Sequence, residues 1–387
     1  MKPIYLDYNA TTPLDPAVAE AMRPYLEEHF GNPSSTHWYG VHAKKAVEKA
    51  RRQIAGLLNC NAEEIIFTSG GSEANNYAIK GVAFANRGKG NHIITSSIEH
   101  PAVYKVCQYL EKNGFSVTYL EVDEFGLVDL AGLKKAISPQ TILITIMHAN
   151  NEVGTIQPIA EIAKIAKEND ILMHTDAAQS LGKISTRVDE LGVDLLSVAG
   201  HKLYAPKGIG ALYLRQGVVL EKLIHGADHE QNLRAGTENV LEIVGLGKAC
   251  ELARQNLETN MAHMKKMRDL LHQGLNKRLP ELKLNGHEGN RLPNTLSVSF
   301  ANIEANTLLD ELEGVAASAG AACHSDSIDV SSTLTAMNVP IAYAMGTVRF
   351  STGRFTTENE ISQAVEIITS AVQRVQPSPA SAIPPKR

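Results

Sequence analysis

Several short polar clusters in this chain sit at the ends of apolar runs, and their residue types suit phosphate and amine chemistry. Thr68-Ser69-Gly70-Gly71-Ser72-Glu73-Ala74 separates a strand-like run from a helical one. Glycines let a backbone approach a ligand closely, and a helix start offers N–H groups at the positive end of its dipole. The segment therefore suits a phosphate; taken alone, a plain glycine turn is the alternative. No Gly-Lys-Ser/Thr follows, which argues against a nucleotide P-loop. Glu99-His100, Asn150-Asn151-Glu152 and Asp176-Ala177-Ala178-Gln179 follow three further strand-like runs. An isolated histidine is ordinarily a core or surface residue, and the chain has 14. The clusters gain meaning together, because an open α/β sheet gathers ligands beyond the carboxyl ends of its strands.

Ser197-Val198-Ala199-Gly200-His201-Lys202 closes another apolar run. A lysine there is ordinarily solvated. Beside a phosphate cup and a carboxylate, its amine can instead form an imine with the aldehyde of pyridoxal phosphate. Asp176 would keep the pyridine nitrogen protonated, which makes the ring an electron sink for a carbanion at the substrate α-carbon.

The elements that must position these groups alternate. Strands are expected at 65–68, 92–96, 141–147, 171–175 and 194–199. Asp15-Pro16 reads as the N-cap and first residue of a helix to about His29. Residues 42–58 place Val47, Ile54 and Leu57 on one helical face, and 158–167 repeat the pattern with Ile159, Ile162 and Ala166. Strand and helix in series predict a mostly parallel sheet covered on both faces. Beyond about residue 255 the pattern changes. One long helix is expected over 257–279, with Leu257, Met261, Met264 and Leu271 packed inward. A strand at 295–300, a helix near 306–317, a strand at 347–351 and a final helix follow, the last opened by the capping box Thr357/Glu360. This predicts a large domain over 15–256 and a smaller α+β domain of 257–375 joined by residues 1–14. The tail 376–387 holds four prolines in twelve residues and is expected to be disordered.

Composition sets the outer limits. The 387 residues are 43% hydrophobic and 20% charged, an ordinary globular balance. The net charge is −5, so no basic excess points to nucleic acid. The longest strongly apolar stretch, around 141–147, falls far short of the roughly 18 residues a membrane crossing needs. Met1–Leu6 is cut off by Asp7, and no signal peptide is visible. Four cysteines (Cys60, Cys107, Cys250, Cys323) form no C-x-x-C pair, which suits a reducing cytoplasm and argues against a cysteine zinc site.

The motif set resembles the cysteine desulfurase family of fold-type-I pyridoxal-phosphate enzymes. The stretches that carry the likeness are Tyr5-Leu6-Asp7 to Thr11-Thr12-Pro13, Gly31-Asn32-Pro33-Ser34-Ser35, Thr68 to Asn76, Glu99-His100, Asn150-Asn151-Glu152-Val153-Gly154 and His174 to Gln179. They continue through His201-Lys202, Pro206-Lys207-Gly208, Arg234-Ala235-Gly236-Thr237, Ala322-Cys323 and Gly353-Arg354-Phe355-Thr356-Thr357. The order is unbroken over roughly 3–375. The resemblance implies Lys202 as the Schiff-base lysine and His100 as a ring-stacking acid/base. It implies Asp176 at the pyridinium, Asn151 and Gln179 near the ring oxygen, and Gly71, Ser72 and His201 at the phosphate. Thr237 would reach the phosphate of a neighbouring subunit, which implies a homodimer. Arg354 would clamp the substrate carboxylate, with Asn32 also on the substrate side, and Cys323 would accept the sulfur as a persulfide while L-cysteine becomes L-alanine. A sulfur-acceptor or scaffold protein would then take the sulfur on.

Two positions depart from the family pattern. Ala199 stands where many members have a hydroxyl that helps bind phosphate. Gly320-Ala321-Ala322-Cys323-His324-Ser325-Asp326 replaces the commoner Gly-Ser-Ala-Cys-Thr-Ser form and looks like the segment of selenocysteine lyases. Its small, polar surroundings are those expected of a mobile exposed loop. A selenocysteine lyase is thus the alternative activity. A non-catalytic regulator and an aminotransferase are further rivals. The three other cysteines read as packing residues.

Overall fold

In the computed structural model, residues 3–324 and 327–376 are described, except for the side chains of 321–329. The central element is a seven-stranded sheet in the order Ile65–Thr68, Gly210–Leu214, Leu195–Ala199, Leu172–Asp176, Thr141–Thr145, His92–Ser96, Ser116–Leu120. Gly210–Leu214 runs antiparallel to both of its neighbours, and the remaining pairings are parallel. His92–Ser96, Thr141–Thr145 and Leu195–Ala199 are buried at every position, as strands covered by helices on both faces must be. Sequence patterning misses two strands, each for a physical reason. Ser116–Leu120 forms the sheet edge and is largely half-exposed, so no apolar run marks it. Gly210–Leu214 returns beside Leu195–Ala199 with only the short 3-10 turn Gly200–Lys202, and no α-helix, between them to set it off.

Three helices aim at the carboxyl ends of these strands or support them. Asp15 caps Pro16–Glu27 by accepting from the Ala17 N–H at 2.7 Å. His100 caps Pro101–Glu111 through Nδ1, which accepts from the Ala102 N–H at 3.1 Å. Gly71–Ala85 starts at the glycine cup. The expected helix over 257–279 is the second part of a 39-residue helix, Val240–Arg278. Asn256 leaves helical geometry inside it (φ −123°, ψ 16°), which bends the rod where the sequence pattern changes. Met264, Met267 and Leu271 are buried on the inner face, whereas Met261 is 37% exposed and belongs to the outer one. The helix expected near 306–317 is only Ala305–Asp310, because Val315–Ala316 pairs in parallel with Ile4–Tyr5.

The C-terminal part forms an antiparallel sheet in the order Ser318–Ala319, Thr347–Ser351, Thr295–Ser299, Lys283–Leu284. Ile4 and Leu6 share its apolar core with Leu271, Phe350, Ile361 and Ile368. Leu334, Met337 and Ala344 belong instead to the core under the large sheet. The proline-rich tail beyond Gln376 lies outside the described residues. Among the described residues no helix is long and apolar enough to cross a membrane.

Candidate active site

The carboxyl ends of the parallel strands open on a cavity of about 690 Å³ lined by Lys202, Asp176, His100, Gln179, Asn151, His201, Gly71 and Ser72. That volume falls within the roughly 300–1,000 Å³ typical of small-molecule sites. Lys202 stands on the short 3-10 turn Gly200–Lys202 that follows Leu195–Ala199. Its Nζ donates to the main-chain carbonyls of Asn9 (2.5 Å) and Ala10 (2.8 Å). Burial and the Arg349 guanidinium pull its ammonium from 10.5 down to about 8, with Asp7 and Asp176 opposing. A lysine so depressed keeps a usable neutral fraction near physiological pH, which a nucleophilic amine requires.

Asp176 ends its strand with both carboxylate oxygens engaged: Oδ2 accepts from Asn75 Nδ2 (2.7 Å) and Oδ1 from the Ala178 N–H (2.8 Å). The Asn75 Oδ1 is buried without a partner, which leaves an orphaned acceptor beside that carboxylate. Beneath it His174 bridges the strands on either side, Nδ1 to Thr145 Oγ1 (2.7 Å) and Nε2 to Ser197 Oγ (2.9 Å). Full burial pushes His174 down to about 3, so it stays neutral. The cap bond to His100 Nδ1 leaves Nε2 to the cavity. Burial lowers the His100 pKa, Lys202 adds to this and Asp176 opposes it.

At the cup, Gly70 has φ +153°, a region open essentially to glycine. A Cβ on Gly71 would lie 3.1 Å from the Ala199 methyl, so helix start and strand end are in close contact. The first N–H groups of Gly71–Ala85 have no intrahelical acceptor, and Ser72 is exposed beside them. His201 Nδ1 meets Thr11 Oγ1 at 3.2 Å, and burial, Lys202 and Lys207 bring the ring down to about 4, hence neutral.

Two sequence-derived assignments, Arg354 and Asn32, fall outside this assembly. Arg354 does not line the cavity: its guanidinium pairs with Asp15 and stacks 3.9 Å above the Tyr204 ring. The void beside Arg354 is about 10 Å³, room for roughly one water and not for a substrate. The arginine that lines the cavity is Arg349. Its Nη1 donates to Asn151 O (2.9 Å) and its Nη2 to Asp7 Oδ1 (2.7 Å), while Nε is buried without a partner. Asn32 is exposed and accepts from the Ser34 N–H at 2.9 Å, a local turn contact away from the cavity. Thr237 is exposed and outside the cavity of its own chain. Cys323 lies on Ala321–His324, whose backbone pairs with Ser327–Val330 (Cys323 opposite Ile328), so a hairpin replaces the expected loop. The Cys323 side chain lies outside the described residues.

Sequence reading missed Arg349, Asn75, Asn9 and Lys183. An arginine in the middle of the apolar run Thr347–Ser351 was the available signal for the first. Asn9 is a hub. Its Nδ2 donates to Thr295 Oγ1 (2.8 Å), and its Oδ1 accepts from Asn294 Nδ2 (2.9 Å) and Lys183 Nζ (3.2 Å). Lys183 is 4% exposed, also donates to Gln179 Oε1 (3.1 Å), and burial holds its pKa well below the ordinary lysine value. Burial pushes the Cys60 and Cys107 thiols up to about 12 and Cys250 higher still, which keeps them protonated and inert.

Comparison with known proteins agrees with this arrangement. The family model described as aminotransferase class-V matches residues 4–364. The chain is 52% identical over 375 residues to "Cysteine desulfurase IscS" of Dictyoglomus turgidum, covering 96% of this chain and 95% of that one. It is 50% identical over 377 residues to "Cysteine desulfurase IscS" of Methanosarcina thermophila, covering 97% and 93%. Among solved structures, a "NIFS-LIKE PROTEIN" superposes with a TM-score of 0.91 at 39% identity, covering 96% of this chain and all of that one. "SspA in complex with cysteine" matches with a TM-score of 0.78 at 40% identity over 91% of this chain and 99% of that one. The fold is that of the fold-type-I enzymes, and the chain belongs to the cysteine desulfurases of the class-V aminotransferase family.

Proposed function

We propose that this chain converts L-cysteine to L-alanine with pyridoxal 5'-phosphate and hands the sulfur to Cys323 as a persulfide. The observation that carries this reading is the convergence of a depressed amine, a carboxylate held on both oxygens and a guanidinium in one cavity. The residues fit the cofactor. Asp176 would face the ring nitrogen, the N–H groups of Gly71 and Ser72 with His201 would hold the phosphate, and Lys202 would bind the aldehyde. Asn151 and Gln179, which also line the cavity, would serve the ring oxygen, and the His100 ring would cover one face of the cofactor ring. Bound there, the cofactor supplies an electron sink for the substrate α-carbon.

The protein's own groups do the rest. Arg349, which lines the cavity, receives the substrate carboxylate, and its planar guanidinium orients the amino acid. The Lys202 amine, near neutrality at about 8, takes the α-proton and later returns it. His100, with Nδ1 held by the cap bond, would move protons at the substrate sulfur and β-carbon through Nε2. The Cys323 thiolate attacks the substrate sulfur, the S–Cβ bond breaks with its electrons left on carbon, and protonation releases alanine. The hairpin that carries Cys323 is tied at its base by the Gly320 N–H to Thr347 O (2.7 Å), on the strand that bears Arg349.

The same reading implies a homodimer in which Thr237 acts on the partner's phosphate, a protein acceptor for the sulfur, and a cytoplasmic setting. We divide the molecule into a large unit, 15–256, and a small unit of the N-terminal segment with 257–375. The helix break at Asn256 and the second apolar core support the division. The test is alanine release from L-cysteine and from L-selenocysteine by the wild type and Cys323→Ala. Alanine from L-cysteine should drop by about 100-fold or more in the variant, the loss expected on removing a nucleophile. Undiminished turnover of cysteine by Cys323→Ala, a keto-acid product, or no turnover at all would contradict the reading.

A further inference from the structure

The cup that holds the proposed phosphate is flanked by a strand and a helix, and one short segment far along the chain grips both. Residues 230–232 form a left-handed turn, with φ of +46° at Glu230, +58° at Gln231 and +63° at Asn232. L residues adopt that conformation only at a cost in free energy, so the surroundings must hold it. The Glu230 carboxylate, 6% exposed, accepts two bonds from Arg51, Nη1 to Oε2 (2.8 Å) and Nη2 to Oε1 (2.7 Å). Its Oε2 also accepts from the Phe67 N–H (2.7 Å), while Arg51 Nη1 donates to Ile65 O (2.6 Å). The ion pair thus occupies the outer edge of Ile65–Thr68, where a neighbouring strand would otherwise bond. That strand runs straight into the cup.

From the same turn the chain reaches the other flank. The Leu233 carbonyl accepts from Tyr77 Oη (2.6 Å), on the helix Gly71–Ala85. Arg234 Nε donates to Glu73 Oε1 (2.9 Å), and Glu73 Oε2 accepts from the Ser69 N–H (2.7 Å). Burial alone would raise the Glu73 carboxyl, but the Arg234 and Ser69 hydrogen bonds outweigh it and hold it ionised below the ordinary carboxylate range. Without Arg234, that carboxylate would present an unbalanced negative charge beside an anion site.

We propose that Glu230 is a positioning residue for recognition of the cofactor phosphate. Its buried carboxylate anchors the left-handed turn to the entering strand and so sets Arg234 on Glu73 and Glu73 on Ser69. This rests on the cofactor assignment above and adds to it a clasp remote from the cavity lining. The experiment compares equilibrium binding of pyridoxal 5'-phosphate and of phosphate-free pyridoxal to the full-length chain after cofactor removal. Glu230→Gln should weaken pyridoxal 5'-phosphate by about tenfold or more, the scale of one charge-assisted hydrogen bond, and pyridoxal by less than about twofold on the same scale. Arg234→Lys, which leaves the buried ion pair in place, should show the same selective loss and serves if Glu230→Gln does not fold. Equal weakening of both ligands, or no change in either, would overturn the clasp. A wild type that binds neither ligand would overturn the cofactor assignment itself.

Discussion

At the scale of single residues, two arginines five positions apart stand in different surroundings. Arg349 lines the cavity with Lys202, while Arg354 is consumed by Asp15 and Tyr204. Arg349→Lys should raise KM for L-cysteine by roughly 30- to 100-fold, because an ammonium cannot reproduce the planar fork. Arg354→Lys should lower the unfolding midpoint and leave KM within about threefold, a change too small for a lost carboxylate contact. Steady-state kinetics with denaturant titration separates the two, and the reverse pattern would restore Arg354 to the substrate. Local sequence could not make this choice. The two side chains are chemically alike, and the partner that occupies Arg354 lies 339 residues away. Lys202, Asp176 and His100 were legible because Asp176 ends a strand, His100 opens a helix and Lys202 closes the short turn after a strand, each in a recognisable motif. The Lys202 assignment also fixes a pH dependence. Only the neutral amine is a nucleophile, and its fraction rises with pH about the ammonium's own pKa, here about 8 instead of 10.5. Uptake of pyridoxal 5'-phosphate by cofactor-free protein, followed by absorbance, should therefore rise with a midpoint near pH 8. A midpoint above about 10 would mean an ordinary solvated lysine.

At the scale of elements, the helices Trp38–Leu58 and Val240–Arg278 meet where Gly247 leaves no room for a side chain. A Cβ there would come within 2.6 Å of the Ala50 backbone and methyl. Gly247→Ala should force the two helices apart and cost about 1–3 kcal/mol, the usual penalty of overpacking, read as a lower denaturant midpoint. An unchanged midpoint would show that the helices can shift freely. The fully buried central strands could be read from sequence because burial on both faces leaves continuous apolar runs. The exposed edge strand Ser116–Leu120 could not, since its pattern is set by neighbours and solvent rather than by its own residues. The first half of Val240–Arg278 escaped for another reason: small residues such as Gly245, Gly247 and Ala249 serve close helix packing there and weaken the periodic signal.

At the scale of the whole molecule, the N-terminal segment locks the two sheets together through Asn9. Its side chain bonds Thr295 and Asn294 on one side and Lys183 on the other, and its main-chain carbonyl receives both Lys202 and Gln179. Asn9→Ala should cost about 3 kcal/mol, as several buried donors lose their acceptor at once; a loss below about 1 kcal/mol would make the hub dispensable. None of these contacts was visible in sequence, because residues 174 and 285 positions apart meet at one side chain. In the proposed reaction an amino acid bound in the cavity they frame loses its sulfur to a cysteine. Mass spectrometry of the cysteine peptides after mixing the holoenzyme with L-cysteine, with alanine quantified in the same sample, tests this directly. One added sulfur on the Cys323 peptide, matched by an equivalent of alanine, is the expected result. Alanine without sulfur at Cys323, or sulfur on Cys60, Cys107 or Cys250 instead, would contradict it.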